Sequence, residues 1–559
     1  MAAHGDAAGV VCVGDYLIER LRAHGVDHVF GVPGDFVLGF MKDLEESPLT
    51  LVTTCDEQGS GFAADAYARL RGLGAVCVTY GVGGLKVTNT TGQAYAEESP
   101  VLVISGAPSL SERRRHPLIH HKVRTYDTQH KVFQHLTAAA AVLDAPENAL
   151  HEIDRVLGAV RRLKRPGYLE VPRDIVDLQV PRVPPLPAQP EASDPRTLAA
   201  ALAEATEWIA SARQPVIVLG VELSRFDLME PAMRFVDRSG IPTTVALLDK
   251  SAIDERHPSF IGVYAGALGR PEVQEYVEGS DCLIRLGTLP TDINLGIYTA
   301  HLDPARCIDA TRDRLAIGLH TYERVRLADF VDGLARVDLR RRTVRDHPRP
   351  PAADLEPTGS PDAPITVAEL FRRLGAFLSD DMIVLADPGD ALFAAIDLPI
   401  YEARDFLAPA FYASLGFAVP AAIGAQLAQP DERPLVLVGD GAFQMTGMEL
   451  STCARYGFDP IVIVLNNGGY TTERLIIDGA FNDIQRWDYS KLPEVIGAGR
   501  AHRVETAGDL DQALADARRR DGQFVLLDVR LDKFDVSPAL RRLGASLQQA
   551  AQGQATGNG

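Results

Sequence analysis

The chain has 559 residues, 46% hydrophobic and 23% charged, an ordinary composition for a soluble globular enzyme and too long for a single core. Its 56 basic and 75 acidic residues leave a net charge of −19. That balance argues against nucleic acid or an anionic membrane as partner, though not against a small anion held by local cations or a metal.

Six cysteines, with no CxxC pair and no metal-ligand spacing, read as mostly buried small hydrophobes in a reducing compartment. Residues 1–15 lack a basic region followed by an apolar stretch, and no apolar run approaches membrane-spanning length. A cytoplasmic location is therefore expected. Two proline-rich stretches of low hydrophobicity, 181–195 and 340–364, read as linkers and delimit domains at 1–180, 196–340 and 365–543. The tail after Leu543 reads as disordered in its final residues.

In chain order, each segment alternates β-branched runs with amphipathic helices, which predicts parallel-sheet α/β domains throughout. Strands are expected at 28–32, 75–79 and 101–104 in the first segment. The middle segment, expected to be Rossmann-like, offers 215–219, 243–246 and 282–286. The last offers 382–386, 435–438, 461–465 and 524–529.

Asp35 follows the first strand in Gly31-Val-Pro-Gly34-Asp35-Phe36, a sequence that by itself suggests a helix N-cap. Glu57 opens an alanine-rich helical stretch, where an acid is ordinarily favoured by the helix dipole. His120 and His121 are adjacent in a polar loop, suited to proton transfer near neutral pH or simply solvated. The strand at 76–79 followed by Gly81-Val-Gly-Gly84 resembles the strand at 435–438 followed by Gly439-Asp440-Gly441, a weak internal repeat between the first and third segments.

The most informative pair is Asp440 and Asn467. Each ends a strongly apolar run, and 442–458 between them reads as one helix, so parallel strands bring both to one sheet edge. A carboxylate and an amide oxygen beside a glycine-rich turn suit Mg²⁺ accompanied by a phosphate.

Gly439-Asp440-Gly441 followed by Asn466-Asn467-Gly-Gly-Tyr470-Thr-Thr-Glu473 resembles the signature of thiamin-diphosphate-dependent 2-oxo-acid decarboxylases. Asp56-Glu57 with Ala64-Asp65-Ala-Tyr67-Ala-Arg69 is similar to the family's first domain, and the resemblance runs over about residues 10–540. It implies a cofactor bound between a pyrimidine-binding first domain and a diphosphate-binding third domain across a subunit interface, in a homodimer or homotetramer. It further implies Mg²⁺ on Asp440, Asn467 and the Gly469 carbonyl, with Gly439, Gly441, Ala442 and Tyr470 around the cofactor. Leu415 would prop the cofactor in its bent form, and Glu57 would activate it through the aminopyrimidine. Asp35, His120, His121 and Glu473 would handle protons on the adduct and enamine. Ile293, Leu392, Phe393, Thr472 and Ile476 would line the substrate pocket.

Two features depart from the pyruvate-type sequences. Gly84 stands where those carry a Glu, and His121-Lys-Val-Arg-Thr-Tyr-Asp-Thr128-Gln129 resembles instead the phenylpyruvate and indolepyruvate branch. Leu392, Ile293 and Thr472 are smaller than the Trp, Tyr and Ile of some pyruvate-selective relatives. The resemblance therefore implies non-oxidative decarboxylation of a hydrophobic 2-oxo acid, phenylpyruvate or indolepyruvate, to an aldehyde and CO₂. The alternatives are a branched-chain 2-oxo acid or pyruvate as substrate, acyloin-forming carboligation, and a cofactor-binding sensor without turnover.

Overall fold

The computed structural model describes residues 9–186, 191–344, 346–349 and 357–546. The tail from 547 onward and parts of both expected linkers lie outside the described residues. The chain divides into two units, one comprising Met1–Gln189 with Pro420–Pro430 and Thr446–Tyr456, the other comprising the remainder.

The first unit is built on a six-stranded, all-parallel sheet. Its order across the sheet is Thr50–Thr53, His28–Gly31, Gly74–Val78, Val101–Ala107, Gly167–Pro172, Ala139–Val142. The central strands Gly74–Val78 and Val101–Ala107 are buried along their whole length, which is why they read as continuous apolar runs without alternation. Asp56 caps the helix Glu57–Arg71 by accepting from the Gln58 N–H, and Gly72 ends it in the left-handed conformation, φ 86°.

The second unit holds two sheets. In one, five parallel strands are extended by the antiparallel pair Leu315–Ile317 and His320–Tyr322. The other is all-parallel, in the order Phe406–Leu407, Met382–Ala386, Arg433–Gly439, Ile461–Asn466, Val525–Arg530, Arg500–Val504. Counted along the chain, both six-stranded sheets run second, first, third, fourth, sixth, fifth. The weak repeat in the sequence is thus a repeat of topology. In each sheet the order reverses beside the first strand, and loops leaving the carboxyl ends there form the usual binding crevice of an open α/β sheet.

One expectation needs correcting. The single helix expected over 442–458 is two helices, Asp440–Thr446 and Leu450–Tyr456, separated by the 3₁₀ turn Gly447–Glu449. The turn goes with an inward-facing acid. Glu449 is 1% exposed, and its carboxylate accepts from the Cys55 N–H and the Thr452 hydroxyl. Gly59 leaves it room, since a Cβ there would stand 2.0 Å from Glu449 Oε1.

Candidate active site

In the second unit, the edge formed by the strand ends Ala386, Gly439 and Asn466 borders a cavity of about 310 Å³. Strands Arg433–Gly439 and Ile461–Asn466 are paired in register, Gly439 opposite Leu465, which places Asp440 and Asn467 on neighbouring turns. Asp440 is 1% exposed and receives the Gly441 N–H at 2.8 Å and the Gly468 N–H at 2.6 Å. Burial pushes its carboxyl up to about 6, against the pull of those amides. Asn467 donates through Nδ2 to Thr471 Oγ1 at 2.6 Å, which orients its amide oxygen toward the Gly469 N–H at 3.3 Å.

The glycines here are required by their surroundings. A Cβ on Gly441 would meet the Tyr470 ring at 2.5 Å, and one on Gly469 (φ 150°) would meet the Asn482 carbonyl at 2.0 Å. Gly439 has no atom within 4 Å of such a position, so its face of the cavity is open.

Gly439, Asp440, Gly441, Ala442, Asn467, Gly469 and Tyr470 all border the cavity. So do Glu473 and Thr472 from the short helix Thr471–Ile476. Ile293, Leu392, Phe393 and Leu415 form the apolar wall. Ile476 is 72% exposed and does not border this cavity.

In the first unit, Asp35 Oδ2 lies 2.7 Å from His120 Nε2. A carboxylate only accepts, so the contact places the ring proton on Nε2. His120 stacks on Phe36 at 5.0 Å, and His121 meets the edges of both rings, at 5.9 Å from Phe36 and 4.7 Å from His120. The Nδ1 of His121 is buried with no hydrogen-bond partner. Asp35 is not an N-cap: the helix that follows, Leu38–Glu46, is preceded by Val37 and has no side-chain cap. The contact with His120 is what occupies its carboxylate.

Glu57 stands at the same sheet edge, in the first turn of its helix, with a side chain 14% exposed. Its Oε2 is 3.3 Å from Lys86 Nζ, and Lys86 also pairs with Asp56. Lys86 was not foreseen, since nothing in its own sequence context ties it to Glu57.

Two further acids near the strand end Ala386 were missed. Asp387 is fully buried, accepts from the N–H groups of Gly416 and Ala418, and is pushed up to about 7 by burial. It thereby fixes the backbone just after Leu415. Asp390 does border the cavity, accepts from the Ser537 N–H and has its Oδ1 buried without a partner. The signal for both was present: Asp387-Pro-Gly-Asp390 follows the apolar run Met382–Ala386 as Gly439-Asp440-Gly441 follows its own strand.

Comparison with known proteins identifies the family. Residues 12–138 match the thiamine pyrophosphate enzyme N-terminal TPP binding domain, 202–332 the central domain and 387–529 the C-terminal TPP binding domain. An indole-3-pyruvate decarboxylase of Azospirillum brasilense is 39% identical over 533 residues, 94% of this chain and 96% of that protein. An alpha-keto-acid decarboxylase of Mycobacterium tuberculosis (strain ATCC 25618 / H37Rv) is 34% identical over 548 residues, 96% of this chain and 97% of that one. That of Mycobacterium avium (strain 104) is 35% identical over 543 residues, 95% and 96% respectively. With three matching domains and near-full-length similarity, the chain belongs to the thiamin-diphosphate-dependent 2-oxo-acid decarboxylases.

Proposed function

We propose that this enzyme is Mg²⁺-dependent and favours a bulky hydrophobic 2-oxo acid, phenylpyruvate or indolepyruvate, releasing the aldehyde and CO₂. The observation that carries the reading is the division of the cavity into a polar edge, with Asp440, Asn467 and Glu473, and an apolar wall of Ile293, Leu392, Phe393 and Leu415. The 39% identity to an indole-3-pyruvate decarboxylase supports the same substrate class.

The residues fit the cofactor and ion. Asp440, Asn467 and the Gly469 carbonyl are a hard-oxygen donor set, and a cation beside Asp440 would favour the ionised carboxylate that burial disfavours. Gly439 and Gly441 keep the adjoining surface clear of side chains. When bound, thiamin diphosphate supplies the electron sink that no side chain offers to the carbanion left by loss of CO₂. The protein's part is to hold protons in place. His120 holds one at Nε2 against Asp35, His121 presents its ring beside it, and Glu473 offers a carboxyl at the cavity. Glu57 is the proposed activating carboxyl, and Leu415 the apolar support beneath the cofactor.

Burial of an aromatic ring in the extra room contributes about 2 kcal/mol over a methyl group, a preference of about thirtyfold in kcat/KM. Loading the protein with thiamin diphosphate and Mg²⁺, and following CO₂, aldehyde and acyloin across a panel of 2-oxo acids, tests this directly. Leu392→Trp is expected to depress phenylpyruvate turnover at least about tenfold more than pyruvate turnover. A wild-type preference for pyruvate would overturn the substrate reading. A branched aliphatic acid is the second reading, favoured by Phe393, which borders the cavity and would shorten it.

The proposal extends to three domains at 1–180, 196–340 and 365–543 and to a cytoplasmic homodimer or homotetramer. All six cysteines are free thiols, and no helix among the described residues is long and apolar enough to cross a membrane. In the proposed assembly Glu57 of one subunit and Glu473 of another serve one cofactor. Mixing inactive Glu57→Gln with inactive Glu473→Gln subunits should then restore about half a dimer's activity, because one of the two sites carries neither change. No recovery after verified subunit exchange would place both groups in one chain's site.

A further inference from the structure

Gly84 and Gln129, the last residue of the run that departs from the pyruvate-type pattern, meet in space. Gln129 is 2% exposed, and a Cβ on Gly84 would lie 2.4 Å from its Oε1 and 2.5 Å from its Cδ and Nε2. The Gln129 amide is fully engaged. Its Oε1 accepts from the Gly81 N–H at 2.7 Å, and its Nε2 donates to Ser105 Oγ at 2.8 Å and to the Tyr168 hydroxyl at 2.7 Å. Tyr168 passes the chain on to Glu170 Oε2 at 2.7 Å. With three hydrogen bonds inside the fold, the amide cannot swing aside without leaving buried groups unpaired.

The Gly81–Gly84 turn that this amide anchors touches both proposed proton-handling regions of the first unit. Gly81 is left-handed (φ 71°), and a Cβ on it would stand 2.4 Å from the His121 carbonyl oxygen. A Cβ on Gly83 would lie 3.4 Å from Glu57 Oε1. His121 itself has a φ of 66°, a conformation that a non-glycine residue holds only when its surroundings fix it. The turn and the histidine backbone therefore set each other's position.

We infer that Gln129 is a positioning residue of the active centre: its amide fills the space beside position 84 and pins the Gly81 N–H, so that the turn holds His121 and abuts Glu57. The inference rests on the decarboxylase reading above. Gly84 and Gln129 form one exchange, since a side chain at 84 and the amide of Gln129 cannot occupy the same place.

A double-mutant cycle tests it on the loaded, full-length enzyme, reading kcat, KM, the pH profile of kcat and the melting midpoint. Gly84→Glu alone is expected to lower kcat at least about tenfold, through collision with the Gln129 amide. Gln129→Ala is expected to lower kcat about tenfold, with KM for the 2-oxo acid and thiamin-diphosphate affinity within about twofold, and to shift the pH profile. Combining the two should recover kcat to within about threefold of wild type. Gln129→Met, similar in volume but without the hydrogen bonds, separates positioning from packing if the alanine variant does not fold. Losses that add in the double variant would overturn the inference. So would losses that follow the melting midpoint with an unchanged pH profile. Absence of decarboxylation in the wild-type control would instead refute the underlying functional reading.

Discussion

Asp440→Ala is expected to weaken Mg²⁺-dependent binding of thiamin diphosphate at least about a hundredfold, ~3 kcal/mol, with the fold preserved. The substitution removes the one carboxylate among the three proposed ligands, at a position where both its oxygens already organise the site. One receives the Gly441 N–H and the other the Gly468 N–H, so the turns after two neighbouring strands are tied through this side chain. The strands themselves are paired independently along five registered positions, from Leu435 opposite Ile461 to Gly439 opposite Leu465, which is why the sheet should survive. Calorimetric titration of thiamin diphosphate with Mg²⁺ present, beside a circular-dichroism melt, separates loss of binding from loss of structure. Near-normal affinity in the folded variant would remove the assignment of this edge as the metal and diphosphate site.

The parts of the fold that could be read in the sequence were those whose physics is local. Strands such as Pro215–Leu219 and Ile461–Asn466 are buried on both faces and leave continuous apolar runs, and the turns after them carry the glycines and acids. Weaker strands escaped for identifiable reasons. Ala139–Val142 is mostly alanine, of low strand propensity. Arg500–Val504 is an edge strand of the sequence Arg-Ala-His-Arg-Val, charged as edges commonly are. The antiparallel hairpin at Leu315–Ile317 and His320–Tyr322 is too short to show a period. The helix break at Gly447 and the contact between Gln129 and Gly81 depend on partners remote in the chain, as does the pairing of Lys86 with Glu57. No spacing rule connects such residues; only the folded backbone does. The gathering of Asp440, Asn467 and Glu473 at one cavity was legible for the opposite reason, because they lie just after two neighbouring strands whose edge geometry is fixed by parallel pairing.

Glu57→Gln is expected to lower kcat by about a hundredfold or more while leaving cofactor affinity and the melting midpoint nearly unchanged. The prediction discriminates between two physical roles for the same residue. As an acid in the first turn of Glu57–Arg71, Glu57 favours the helix through the backbone dipole, an effect of about 0.3–1 kcal/mol on stability and none on chemistry. The structure already assigns capping to Asp56, whose side chain accepts the Gln58 N–H. Lys86 would keep Asp56 as a partner after the change. Glutamine preserves the volume and reach of the side chain and replaces the titratable carboxyl by a neutral amide. A loss confined to turnover therefore isolates proton handling from packing. Hydrogen–deuterium exchange at C2 of the bound cofactor, followed by quench, reads the activating role before any substrate is added, and the variant should exchange slower by a similar factor. Exchange at the wild-type rate would return Glu57 to a helix-opening acid and require another carboxyl to activate the cofactor.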